Sequence, residues 1–157
     1  MNSFKYTLAG LLTLVMQSTI VHFLSIKAIV PDLTLVFVVY IALRYGPLAG
    51  LGAGFLMGLV QDVYSYDTLG AGAMAKTILG YGLGLMEDHV VQLDFLSKVI
   101  LLGVSFFIHD LLFILFIGTP SDKIGEILIS SSLPEGLYTL VLGAIFFYLF
   151  PSSRRHV

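Results

Sequence analysis

The chain has 157 residues, 57% of them hydrophobic and only 11% charged, with a formal net charge of −2 and a mean hydropathy of +0.97. The length suits one domain, and the composition is that of an integral membrane protein. Cysteine is absent, which excludes disulfides, thiol catalysis and cysteine-ligated zinc or iron–sulfur centres. The slightly acidic balance gives no basis for nucleic-acid binding. With no tryptophan, tyrosine is left to anchor the membrane interfaces.

Taken in order, the chain reads as an all-α integral membrane protein with six transmembrane helices. The first predicted span covers 6–25. Lys5 followed by an apolar run from Leu8 resembles a signal peptide, but no small-x-small cleavage pattern follows and MQSTIVHFL carries the apolar segment onward. Gln17, Ser18 and His22 are expected to face other helices. Pro31 and Asp32 open the second span, 32–44, as a helix-start pair with Pro near the first helical position and an acid in the first turn. A dozen residues give only ~18 Å of helix, short for a hydrocarbon core of ~30 Å. Either the preceding Ile26–Val30 stretch lies at membrane depth too, or the bundle thins the bilayer.

Arg44, Tyr45, Gly46 and Pro47 make a tight turn into the third span, 48–63. This span carries Gly50, Gly54 and Gly58 at four-residue spacing, with Asp62 one step further on the same face. Glycine is roughly 1 kcal/mol worse than alanine inside a helix. A row of three makes sense where helix backbones approach closely in a membrane. The fourth span, 69–86, repeats the theme with Gly70, Gly72, Gly80, Gly82 and Gly84, and holds Lys76 at depth. A buried lysine needs a carboxylate, and Asp62 or Asp67 is the expected partner. The fifth span, 97–117, is apolar except for Ser105 and the adjacent His109 and Asp110. Residues 118–134 read as the longest polar connection, with Asp122, Lys123, Glu126 and three serines at 130–132. Pro134 and Glu135 start the sixth span, 135–150, which Pro151 stops before the basic tail Arg154, Arg155, His156.

Six spans place both termini on one side. Lys5, Arg44, Lys98, Arg154 and Arg155 fall on that side, against Lys27 and Lys123 opposite. The positive-inside rule then puts both termini in the cytoplasm.

No catalytic constellation emerges, so no enzyme and no cofactor is expected. The chain lacks a phosphate-binding GxxxxGK[ST], HExxH or GxSxG. His109 and Asp110 are the sharpest candidates for proton handling, but neighbours on a helix point about 100° apart. A relay would also want more than one carboxylate at that depth. A structural role for Asp110, bonded to Gln17, His22, Lys76 or a tyrosine, is the favoured reading. Asp62 is read in the same way, as a cap for the following turn or a partner of Lys76. The EDH triplet at 87–89 is read as a solvated loop, and the basic tail as an orientation signal in reach of lipid headgroups.

One resemblance adds to this reading. The run PDLTLVFVVYIALRYGPLAGLGAGFLMGLVQDVYSYDTLGAGAMAK resembles the core of the MreD family of rod-shape-determining membrane proteins. It does so through Pro31-Asp32-Leu33, Arg44 and Gly46 in the turn, the Gly50, Gly54, Gly58 row, Gly58-Leu59 with Asp62, and Leu69-Gly70. The resemblance covers about 31–85 and rests on packing motifs. It implies a cytoplasmic-membrane scaffold of bacterial cell elongation that binds MreC, with MreB filaments and the RodA–transpeptidase synthase nearby. It also implies a fold similar to the substrate-binding S components of energy-coupling-factor (ECF) transporters.

That similarity supplies the alternative function, a vitamin-binding S component. Such proteins commonly carry an Ala-xxx-Ala row on the first helix, whereas here Ala9 is followed at that spacing by Thr13. Their pockets also need several convergent polar groups, for which Lys76, Asp62, Tyr64 and Tyr66 are thin material. On the scaffold reading, Gly46, Gly50, Gly54, Gly58, Gly70, Gly80 and Gly84 are packing or partner-interface positions. Pro31, Asp32, Arg44, Asp62, Lys76, His109 and Asp110 are the structural polar set.

Overall fold

A computed structural model of the chain describes residues 30–64, 70–86 and 94–150. The predicted first span at 6–25, the Lys27 and Asp67 positions, the 87–89 triplet and the basic tail lie outside these residues. All regular structure among the described residues is helical: α1 Leu33–Tyr45, α2 Pro47–Tyr64, α3 Ala71–Leu85, α4 Phe95–Ile117, α5 Ser121–Ile127 and α6 Leu133–Leu149. A π-helical step, Leu128–Ser132, joins α5 to α6.

Helix α1 is the core of the bundle. Its residues from Thr34 to Leu43 are all buried. A helix apolar all round is stable only when enclosed on every side, and α2, α3, α4 and α6 all pack on it. This explains its shortness: at 13 residues it is about 20 Å long and is shielded by its neighbours. Asp32 is its N-cap, with Oδ1 accepting from the Leu35 amide at 2.8 Å. Pro31 therefore stands just outside the helix, where the sequence reading puts it within the first turn.

The turn from α1 to α2 is made by Gly46, whose φ of 82° is in the region that disfavours any side chain. The Gly46 amide still bonds the Ala42 carbonyl at 3.0 Å. Helix α2 then runs antiparallel to α3 along a seam of glycine. A Cβ placed on Gly50 would lie under 3.0 Å from the Gly80 carbonyl, and one on Gly54 under 3.0 Å from the Lys76 backbone. On Gly58 it would meet Ala73, on Gly80 the Gly50 backbone, and on Gly84 the Gly46–Pro47 turn, all closer than real side chains come. Here two backbones touch, and the gain is close dispersion contact over the whole length.

Helices α4 and α6 meet through a second, looser set of small residues. A Cβ on Gly136 would meet the Phe106 ring, and one on Gly143 the Leu102 side chain. Residues 118–134, a polar connection by sequence, are mostly helix: Ser121 to Leu149 is continuous. The serines do not break it because Ser130 Oγ bonds the Glu126 carbonyl at 2.6 Å, the back-bonding open to a serine inside a helix. Pro134, which has no amide to give and crowds the preceding turn, stands in the first turn of α6, with Leu133 between it and the wider π step. Helix α4 and the Ser121–Leu149 helix are each long and apolar enough to cross a membrane. Val104, Phe107, Ile108, Leu111 and Leu115 remain exposed on α4, as lipid contact requires.

Candidate functional site

The polar residues of the bundle collect at one end, where α1, α3 and α6 begin and α2 finishes. Lys76, on the second turn of α3, is 1% exposed. An isolated ammonium at that depth is prohibitively costly, and two groups compensate it. Asp32 Oδ2 lies 2.8 Å from Lys76 Nζ, and His109 Nε2 on α4 lies 3.2 Å away. The expected pairing of Lys76 with Asp62 is therefore corrected: the partner is Asp32.

The Asp62 carboxylate is otherwise engaged. Its Oδ2 accepts from the Gly70 amide at 3.0 Å and the Ala73 amide at 2.9 Å. It thus caps α3 from the end of α2, where free N–H groups and the helix dipole favour a negative charge. Gly72 leaves the space for it, since a Cβ there would collide with Asp62 Oδ1. Gly70, with φ of 95° and nothing among the described residues within 4 Å of where a Cβ would stand, serves the turn conformation and presents its amide.

Asp32 does two jobs at once. Oδ1 caps α1 and also accepts from the Thr34 hydroxyl at 2.6 Å, while Oδ2 holds Lys76. Its own amide donates to Thr139 Oγ1 on α6 at 3.0 Å. One residue thereby ties together the starts of α1 and α3 and the middle of α6. Gln61 joins through its side-chain Oε1, 2.7 Å from Thr34 Oγ1.

His109 and Asp110 point to different partners, in keeping with the ~100° step between helical neighbours. His109 is on Lys76 and stacks on Phe113 at 6.2 Å. Asp110 takes a hydrogen bond from the Ser132 hydroxyl, at the end of the π step. Sequence reasoning places Ser132 in an external loop and gives Glu135 no role beyond a helix start, so neither is anticipated here. Arg44 lies at the far end of α1, donating to the Tyr40 hydroxyl at 2.8 Å and sitting 5.7 Å from both the Tyr40 and Tyr45 ring centres.

Beside the ionic centre is a cavity of about 170 Å³, lined among others by Asp32, Gln61, Lys76, Phe106, His109, Asp110, Phe113 and Glu135. Among the described residues no group of three or more histidines and carboxylates is placed to hold a metal ion. The arrangement can hold helices in register and can receive a small polar group.

The described residues thus form a helical bundle with two helices long and apolar enough to cross a membrane, a glycine seam and a buried ion pair, the features of a helical membrane protein. Residues 3–152 match the family described as rod shape-determining protein MreD, so the chain belongs to the MreD family. That family is one of membrane proteins, and membership gives the chain its role in rod shape determination. Neither the curated proteins nor the solved structures contain a significant match.

Proposed function

We propose that the chain is a non-enzymatic scaffold of the bacterial elongation machinery. It sits in the cytoplasmic membrane with both termini in the cytoplasm, binds MreC directly and helps to organise peptidoglycan synthesis. MreB filaments and the RodA–transpeptidase synthase are the further partners of this reading, and residues 6–25 supply a sixth span to a fold of S-component type. Support comes from the family membership over 3–152 together with the positive-inside bias of the sequence.

One structural observation carries the scaffold reading: the polar centre joins α1, α3, α4 and α6 through Asp32, Lys76, His109 and Thr139. Such a hub suits a rigid platform. The Gly50, Gly54, Gly58 row is occupied by α3, so a partner helix would dock elsewhere on the bundle. The vitamin-uptake alternative gains no support from the family match.

The test is complementation and co-purification. Expressed in a rod-shaped bacterium depleted of its own MreD, the chain should restore rods and retain MreC through detergent purification. Round cells and a folded chain that emerges without MreC would overturn the proposal.

A further inference from the structure

We propose that the cavity beside Lys76 receives a basic side chain, arginine or lysine, from a partner membrane chain. The charges around the cavity do not balance. Asp32 is neutralised by Lys76, and Asp62 is spent on the backbone amides of Gly70 and Ala73. Asp110 has only the neutral Ser132 hydroxyl, and Glu135 has no hydrogen bond or ion pair among the described residues. Two carboxylates thus line one small space with no cation of their own among these residues, a demand that an ammonium or guanidinium satisfies.

His109 adds a second, independent demand. It lines the cavity and is only 7% exposed, yet its Nδ1 has no hydrogen-bond partner among the described residues. The Lys76 ammonium donates to Nε2, so the ring proton resides on Nδ1 and seeks an acceptor. A buried N–H left without one costs about 1–3 kcal/mol.

The occupant must therefore bring a cation for the carboxylates and an acceptor close by. A basic residue in a peptide has both, because a backbone carbonyl accompanies its side chain. A bare metal ion has no acceptor, and a phosphate headgroup would set an anion among carboxylates whose lysine is already engaged. Phe106 and Phe113, also lining the cavity, suit the methylenes or the guanidinium face of such a side chain. The space holds one side chain rather than a helix, so it would fix the register of a partner packed alongside.

This inference rests on the scaffold reading, since it needs a partner chain. The test uses the full-length protein in nanodiscs and two probes, Nα-acetyl-arginine methylamide and its neutral isostere Nα-acetyl-citrulline methylamide, at matched ionic strength. The arginine probe should raise the thermal unfolding midpoint saturably, with at least tenfold weaker half-saturation for the citrulline probe. Glu135→Gln and Asp110→Asn should each weaken the arginine response tenfold or more. Glu135→Gln breaks no described hydrogen bond, so its unfolding midpoint without probe should stay that of the parent. An equal response to both probes, no response, or an unchanged response in both variants would overturn the inference. Co-purification with MreC, run in parallel, separates the two readings: MreC retained with no arginine response removes this inference alone, and a selective arginine response without MreC removes the MreC scaffold alone.

Discussion

The ammonium of Lys76 lies 2.8 Å from the Asp32 carboxylate, with the lysine 1% exposed and the aspartate 11% exposed. Asp32 stands at the start of the most deeply buried helix and Lys76 where the backbone of α3 faces Gly54 in the seam, so one pair links the core helix to the backbone-on-backbone packing of its neighbours. Removing one partner leaves the other charge buried and alone, a loss of about 3–5 kcal/mol.

Lys76→Met and Asp32→Leu should therefore each sharply reduce folded yield and lower the unfolding midpoint in detergent, with Asp32→Leu the worse because it also removes the cap on Leu35. The double variant should recover part of the loss. The swap Asp32→Lys with Lys76→Asp should not recover, since lysine cannot accept the Leu35 amide. Full rescue by the swap would show that the cap contributes nothing.

Along the seam, Gly54→Ala should be more damaging than Gly143→Ala. The new methyl at 54 meets the Lys76 backbone, whereas at 143 it meets the end of the Leu102 side chain, which can turn away. Overpacking of the second kind costs about 1–3 kcal/mol. Gly52→Ala and Gly82→Ala, with open space at both positions, should be neutral or slightly stabilising. Size-exclusion profiles and unfolding midpoints of the four variants check this order. Equal losses at 52 and 54 would contradict the seam.

Asp62→Ala should lower stability by about 0.5–2 kcal/mol, the usual cost of losing a helix cap. Asp62→Asn keeps an acceptor for the Gly70 and Ala73 amides and should lose less. If the two variants were equally and severely defective in MreC binding while their unfolding midpoints matched the parent, Asp62 would be a partner contact and not a cap.

Ser132→Ala removes the hydroxyl that Asp110 accepts from, and should cost about 1–3 kcal/mol if the carboxylate stays buried without replacement. Ser130→Ala, whose hydroxyl bonds only its own helix at an exposed site, should change the midpoint little. A larger loss at 130 than at 132 would count against the π step as the element that positions Asp110.

The sequence carries the all-helical character, the family and the turn at Gly46–Pro47 because these rest on composition, local order and backbone chemistry. The partner of Lys76 is not readable in this way. Asp62 stands on the neighbouring helix, where a cap and a pairing with Lys76 are both open to it by sequence; nothing local tells that the Gly70 and Ala73 amides take its Oδ2 and leave Lys76 to another carboxylate. Asp32 looks like a helix-start residue and is one, and its second oxygen is available only because the core helix brings it to α3. The stretch 118–134 misleads for a related reason. Serines and a proline mark loops in isolation, yet here Ser130 returns its hydroxyl to Glu126, Ser132 bonds Asp110 across the bundle, and Pro134 follows a π step that makes room for it. Ser132 and Glu135 enter the site only through that continuity.

The most direct test of the central claim is quantitative co-purification of the full-length chain with MreC from membranes, with the same assay on Lys76→Met. The scaffold account predicts that the parent retains MreC through size exclusion, and that Lys76→Met loses MreC in proportion to its loss of folded protein. A parent chain that is folded and monodisperse yet carries no MreC would contradict it.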